Sequence, residues 1–220
     1  MMEITIDLNA KYLPQATVVT NGVITDDEET QRLLRASKHI VICDGALAKY
    51  LKLTRRVPDV VIGDGDSVNH EDLMTLGLDL TQVDDQETND LTKAVHFAHR
   101  QGWNDLAVIG ATGLREDHTI GNIFLLPEYF KMGVTSRIYS PYGWLMVFQG
   151  HLQLMADMGQ EISLFATENK PISASGVAYP FELRTFSSLW QATLNVITEP
   201  IVKLYSEGIA IVYVSHERRQ

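Results

Sequence analysis

A chain of 220 residues that is 45% hydrophobic is long enough to bury the core of one large domain or two small ones. Its formal net charge of −10 argues against a general nucleic-acid binder, which needs a basic patch, and a nucleotide substrate would need a metal as counter-charge. With one cysteine, Cys43, no basic stretch leading into an apolar N-terminal segment and no apolar run near ~20 residues, the sequence predicts a cytoplasmic protein with no internal disulfide and no membrane span.

From about residue 16 to 140, short β-branched runs alternate with helix-like segments, as a parallel α/β sheet requires. Strands are predicted at 16–20, 40–43, 60–62, 106–109 and 136–139, and helices around 27–37, 45–53, 69–77, 89–101 and 117–131. After about Pro141, Gly143, Gly150, Gly159, Gly176 and Gly208 punctuate short runs such as 161–165 and 208–214, which predicts antiparallel β structure. The expected fold is an α/β, parallel-sheet, Rossmann-like domain over residues 1–140, followed by an all-β sandwich domain over residues 141–220.

The run Val60-Val61-Ile62 leads into Gly63-Asp64-Gly65-Asp66-Ser67. In an extended backbone Asp64 and Asp66 share a face, and the flanking glycines let a bulky anion approach. Such hard oxygen ligands suit Mg²⁺, although a Gly-Asp string after a strand also reads as a solvated turn. Asp90 opens a predicted helix with Leu91, Ala94, Val95 and Ala98 on its apolar stripe and Thr88 or Asn89 as N-cap, giving a third carboxylate a rigid mount. Asp44-Gly45-Ala46 and Gly110-Ala111-Thr112-Gly113 follow two further strands. Since ligands in such sheets bind beyond the carboxyl ends, three loops on one rim point to a shared site.

Arg115, Asp117 and His118 end the last of these loops, where Arg115 suits a phosphate. Equally, they suit a surface arginine, a helix cap and a core or capping histidine. Lys93, three residues after Asp90, either neutralises phosphate charge or pairs with its neighbour. His96 and His99 lack a third soft ligand for zinc. Neither standard glycine-rich nucleotide signature is present. In the second domain Ser173, Ser175, Tyr179, Trp190 and Asn195 stand out: an aromatic face attracts organic cations, while for any single aromatic core packing is the commoner role.

In order, Asp44-Gly45-Ala46, Pro58-Asp59 leading to Gly63-Asp64-Gly65-Asp66-Ser67, Asp85-Gln86-Glu87-Thr88-Asn89-Asp90-Leu91-Thr92-Lys93 and Gly110-Ala111-Thr112-Gly113-Leu114-Arg115-Glu116-Asp117-His118 resemble thiamin pyrophosphokinases. The resemblance covers most of residues 16–140 and continues more weakly through Gly176-Val177-Ala178-Tyr179-Pro180 and Asn195. It implies transfer of the diphosphoryl group of ATP to the hydroxyl of thiamin by a homodimer with active sites between subunits. By position, Asp64, Asp66 and Asp90 would hold Mg²⁺ and act as the catalytic residues. Asp44, Lys93, Arg115, Asp117 and His118 would line the ATP side. Gln86, Ser173, Ser175, Tyr179 and Asn195 would lie on the thiamin side, with Tyr179 stacking on thiamin from the partner subunit. The chain departs from the family pattern at Asn89, where Thr is usual, at Leu114, which replaces a second glycine, and at Leu194, where Ser is common. Two other readings compete. A magnesium-dependent phosphohydrolase would need an upstream Asp-x-Asp strand, and residues 1–58 contain none. A non-catalytic thiamin or nucleotide sensor would have little reason to bear the repulsion of three carboxylates.

Overall fold

The computed structural model describes residues 4–83, 85 and 87–218. Two compact units emerge: a central one of residues 13–141, and a flanking one built from the segments on either side of it. The first described strand, β1 (Ile4–Asp7), belongs to the flanking unit, where it pairs in parallel with residues 152–155. The second unit therefore draws on both ends of the chain, whereas the sequence reading starts the first domain at residue 1.

The central unit runs β2 (Ala16–Val19), α1 (Glu28–Ala36), β3 (His39–Cys43), α2 (Leu47–Leu53), β4 (Val60–Gly63), α3 (His70–Leu76), β5 (Leu80–Gln82), α4 (Asp90–Arg100), β6 (Asp105–Ile109), α5 (Glu116–Lys131) and β7 (Thr135–Ser140). Its strands lie in the order β7-β6-β2-β3-β4-β5, all parallel. Helices cover such a sheet on both faces, so its strands are apolar throughout rather than alternating. Val18, Ile40, Val41, Ile42, Val61, Ile62 and Val108 are fully buried, each contributing about 1.5–3 kcal/mol. Short side chains of Asp27, Asn69 and Asn89 start α1, α3 and α4 by accepting a backbone N–H of the first turn. Each predicted strand and helix of this region forms; β5, half-exposed and three residues long, carries no comparable sequence signal.

The flanking unit continues with β8 (Gly143–Met155), β9 (Gln160–Ala166), β10 (Ile172–Ser175), β11 (Phe181–Arg184), β12 (Asn195–Val196) and β13 (Ile201–Arg218). Strand β13 is its spine. Over residues 201–206 it pairs antiparallel with β8 and β10, and from Ala210 onward with β8 and β9. Register shifts between Ser206 and Ala210, which turns one long strand into a member of two sheet faces. Side chains from both halves, among them Leu152, Leu204 and Ile172 on one side and Phe148, Leu164 and Val212 on the other, meet in one buried cluster. This is the predicted β-sandwich, with a parallel strand added by β1.

Candidate active site

Strand order in the central sheet reverses at β2, which has β3 on one side and β6 on the other. A crevice opens past the carboxyl ends at such a point. A cavity of about 460 Å³ lies there, within the usual size range of small-molecule sites. Thr20, Asn21 and Gly22 line it from the end of β2, Asp44 from β3, Asp64 from β4, Asp90 and Lys93 from α4, and Gly110, Ala111, Thr112, Leu114 and Arg115 from the loop after β6. His118 and Asn122 of α5 complete the wall.

Asp44 is 2% exposed. Its carboxylate accepts the N–H of Gly45 at 2.6 Å on one oxygen and that of Gly65 at 3.0 Å on the other. Burial pushes its pKa up from the ordinary carboxylate range, the two N–H bonds pull against that, and repulsion from Asp90 and Asp64 adds to the rise. Asp44 thus fastens the acidic loop to the end of β3. Gly63 gains a different explanation from the sequence reading: a Cβ there would come within 2.3 Å of the Asp44 carboxyl carbon, so glycine is needed for Asp44 rather than for an anion.

The strand ends at Gly63, so the two-residue alternation stops before it can align Asp64 with Asp66. Beyond it the chain turns, and the backbone N–H of Asp66 donates to Asp64 Oδ1 at 3.1 Å. Asp64 faces the cavity, whereas Asp66 is exposed and is not part of its lining. Asp90 sits at the first position of α4, and the Nζ of Lys93 donates to it at 3.3 Å. Lys93 is 5% exposed, an ammonium held on a buried helix face with one half-exposed carboxylate as partner. Cys43 also borders the cavity, but burial and the nearby Asp90 and Asp44 push its thiol well above its ordinary pKa, which leaves it a poor nucleophile.

Gly110 takes φ +74°, where a Cβ would meet the Thr20 carbonyl at 2.2 Å. Three consecutive carbonyls of its loop are held by protein donors: Gly110 by the N–H of Gly22 at 2.6 Å, Ala111 by Asn122 Nδ2 at 2.8 Å, and Thr112 by the N–H of Val23 at 2.8 Å. Arg115 makes a two-pronged ion pair with Asp117, at 3.1 and 2.5 Å, both residues being exposed. Arg115 and His118 line the cavity; Asp117 does not, and acts instead on Arg115 and on the N–H of His118. Gln86 lies outside the described residues.

The other named residues belong to the flanking unit. The Tyr179 side chain is 74% exposed, while its backbone is clamped by Asn195, which accepts the Tyr179 N–H at 3.0 Å and donates to the Tyr179 carbonyl at 2.8 Å. Asn195 Oδ1 also accepts the N–H of Val196. Ser173 Oγ accepts the N–H of Leu183, and Ser175 ends β10, exposed. Trp190 is exposed rather than in the core. Leu194 adopts φ +59°, an unusual angle for a leucine, with its N–H on Ser163 Oγ.

Residues 30–137 match the family model described as thiamin pyrophosphokinase, catalytic domain, and residues 143–213 match the thiamin pyrophosphokinase substrate-binding domain. The chain belongs to the thiamin pyrophosphokinase family. It is accordingly a thiamin diphosphokinase, a transferase that makes thiamin diphosphate with ATP as co-substrate. No curated protein sequence matches the chain. Solved structures share the fold: the thiamin pyrophosphokinase of Candida albicans superposes with a TM-score of 0.82 at 18% identity over 98% of this chain and 93% of that one. The yeast enzyme gives 0.79 at 14% identity, covering 98% and 92%. That of Bacillus subtilis gives 0.77 at 21% identity, covering 91% and 98%.

Sequence reasoning missed several lining residues of this thiamin pyrophosphokinase. Thr20, Asn21 and Gly22 follow β2, and the same strand-end rule that singled out three other loops applies to them. Asn122 had no local signal, because its place in the cavity wall depends on how α5 packs. Of the departures from the family pattern, Leu114 lies exposed on the cavity rim and Asn89 caps α4.

Proposed function

We propose that the central cavity is where this thiamin pyrophosphokinase transfers the diphosphoryl group, with Asp64 and Asp90 holding Mg²⁺ together with the phosphates of ATP. The observation that carries the reading is the meeting of Asp44, Asp64 and Asp90 in one cavity at the point where strand order reverses. Among the described residues no three His, Cys, Asp or Glu side chains converge as a closed metal cage. An open pair of carboxylates fits magnesium, which takes much of its coordination from phosphate and water. Bound there, Mg²⁺ would neutralise phosphate charge and draw electrons from the phosphorus under attack.

In the reaction the thiamin hydroxyl oxygen bonds to the β-phosphorus as the bond from that phosphorus to its α,β-bridging oxygen breaks; AMP departs with that oxygen and the hydroxyl proton passes to water. Lys93 supplies a fixed positive charge from a buried mount, where it is poorly screened and acts strongly on phosphate oxygens. Arg115, oriented by Asp117, adds a guanidinium at the rim, beside His118. The glycine loop is fixed beside the cavity by its carbonyls at 110–112, each held by a protein donor. Thiamin carries a fixed positive charge, and the exposed Tyr179 ring suits it by cation–π attraction of about 0.5–2 kcal/mol. Asn195 serves that contact by fixing the Tyr179 backbone. The family resemblance adds Gln86 and Ser175 to the thiamin side and a homodimer in which Tyr179 serves the partner's cavity.

Replacing Asp64 or Asp90 by Asn tests the reading. Each variant should fold and lose at least about 10²-fold in kcat. Wild-type turnover in either would remove the metal assignment.

A further inference from the structure

We infer that Asn89 and Asn122 form a positioning relay that sets Asp90 against the glycine loop during diphosphate transfer. The inference rests on the proposed role of Asp90. Asn89 Oδ1 accepts the N–H of Thr92 at 2.9 Å, the ordinary work of an N-cap. A cap needs only that oxygen. The amide nitrogen of Asn89 does something more: it donates to Asn122 Oδ1 at 2.9 Å, and Asn122 Nδ2 donates in turn to the Ala111 carbonyl at 2.8 Å.

The chain of bonds has one direction. Each amide spends its oxygen on one neighbour and its nitrogen on the next, so turning either amide over would set oxygen against oxygen. It joins the residue just before Asp90 to the middle of the loop after β6, and Asn122 is buried at 8% exposure. The adjoining carbonyls of Gly110 and Thr112 are already fixed by backbone donors of the β2 loop, so Ala111 is the point where α4 and α5 take hold of that loop. One turn along α4, Thr92 Oγ1 and the Tyr129 hydroxyl lie 2.8 Å apart and tie the same two helices together. Asp90 and the loop would bind the same triphosphate. Their separation therefore has to be held during transfer, when small misplacements are costly.

Three variants test the relay with Mg²⁺, ATP and thiamin as probes, against Asp90→Asn as reference. Asn89→Thr keeps a capping oxygen but, one atom shorter and without the amide nitrogen, gives up the reach to Asn122 Oδ1. Its kcat should fall about tenfold, with KM for both substrates within about twofold. Asn122→Ala should lose a similar factor, and the double variant should be no slower than Asn122→Ala alone, because both remove one device. If Asn122→Ala does not fold, the uncharged and near-isosteric Asn122→Leu replaces it, and the same loss of kcat is expected. Wild-type kcat in Asn89→Thr, or losses that multiply in the double variant, would overturn the relay. An inactive Asp90→Asn beside a fully active Asn89→Thr condemns the relay alone. An active Asp90→Asn overturns the role of Asp90 and the relay with it.

Discussion

Gly63 and Asp44 depend on one another. A side chain at 63 drives into the Asp44 carboxylate, which cannot retreat without releasing the N–H groups of Gly45 and Gly65. Gly63→Ala should therefore destabilise the fold by about 1–3 kcal/mol and shift Asp64 enough to lower kcat, measured by denaturant melts and steady-state kinetics. Wild-type values for both would show that the loop is not pegged in this way. The acidic residues were legible in the sequence as residue types; their division of labour was not. Asp44, which the sequence puts on the ATP side, lines the cavity and also spends its carboxylate on the N–H groups of Gly45 and Gly65. Asp66 reads as the twin of Asp64, but the strand stops at Gly63 before the alternation can align them, and Asp66 is exposed and outside the cavity lining. Asn195, picked out as a substrate contact, spends its amide on the backbone of Tyr179.

The elements themselves were mostly legible, because a parallel sheet writes its strands as continuous β-branched runs. Strand β8 was harder: Gly150 at φ +79° interrupts it, and its pairing with β13 is broken by the irregularity between Ser206 and Ala210. Helix starts carry their own chemistry. Asp27 caps α1 through the Thr30 N–H at 2.7 Å. Burial alone would raise its pKa, but hydrogen bonds from Thr25, Thr30 and Tyr139 win and hold it below the ordinary value. A depressed carboxylate contributes stability that is fully present above its unfolded pKa and is lost as pH falls through its folded one. Asp27→Ala should cost about 1 kcal/mol at neutral pH. Acid titration of stability should show that gap closing below the ordinary carboxylate range; a gap constant down to the acid limit would contradict this account of the cap.

Over the whole molecule, composition set the limits and topology placed the cavity. A net charge of −10 and three carboxylates lining one cavity oppose the charge of a nucleoside triphosphate. Among the described residues no helix is long and apolar enough to cross a membrane. The sharing of the second unit between both chain ends was not legible, since a four-residue run at 4–7 gains meaning only from its pairing with β8. ATP binding should require divalent metal: calorimetric titration with ATP should give tight binding with Mg²⁺ and little without it, and equal affinity in EDTA would contradict the electrostatic account. The most direct test of the central claim is the identity of the products after incubation with Mg²⁺, ATP and thiamin, resolved by chromatography and ³¹P NMR. AMP and thiamin diphosphate in equal amounts are predicted. ADP as the nucleotide product, or phosphate released without consumption of thiamin, would contradict it.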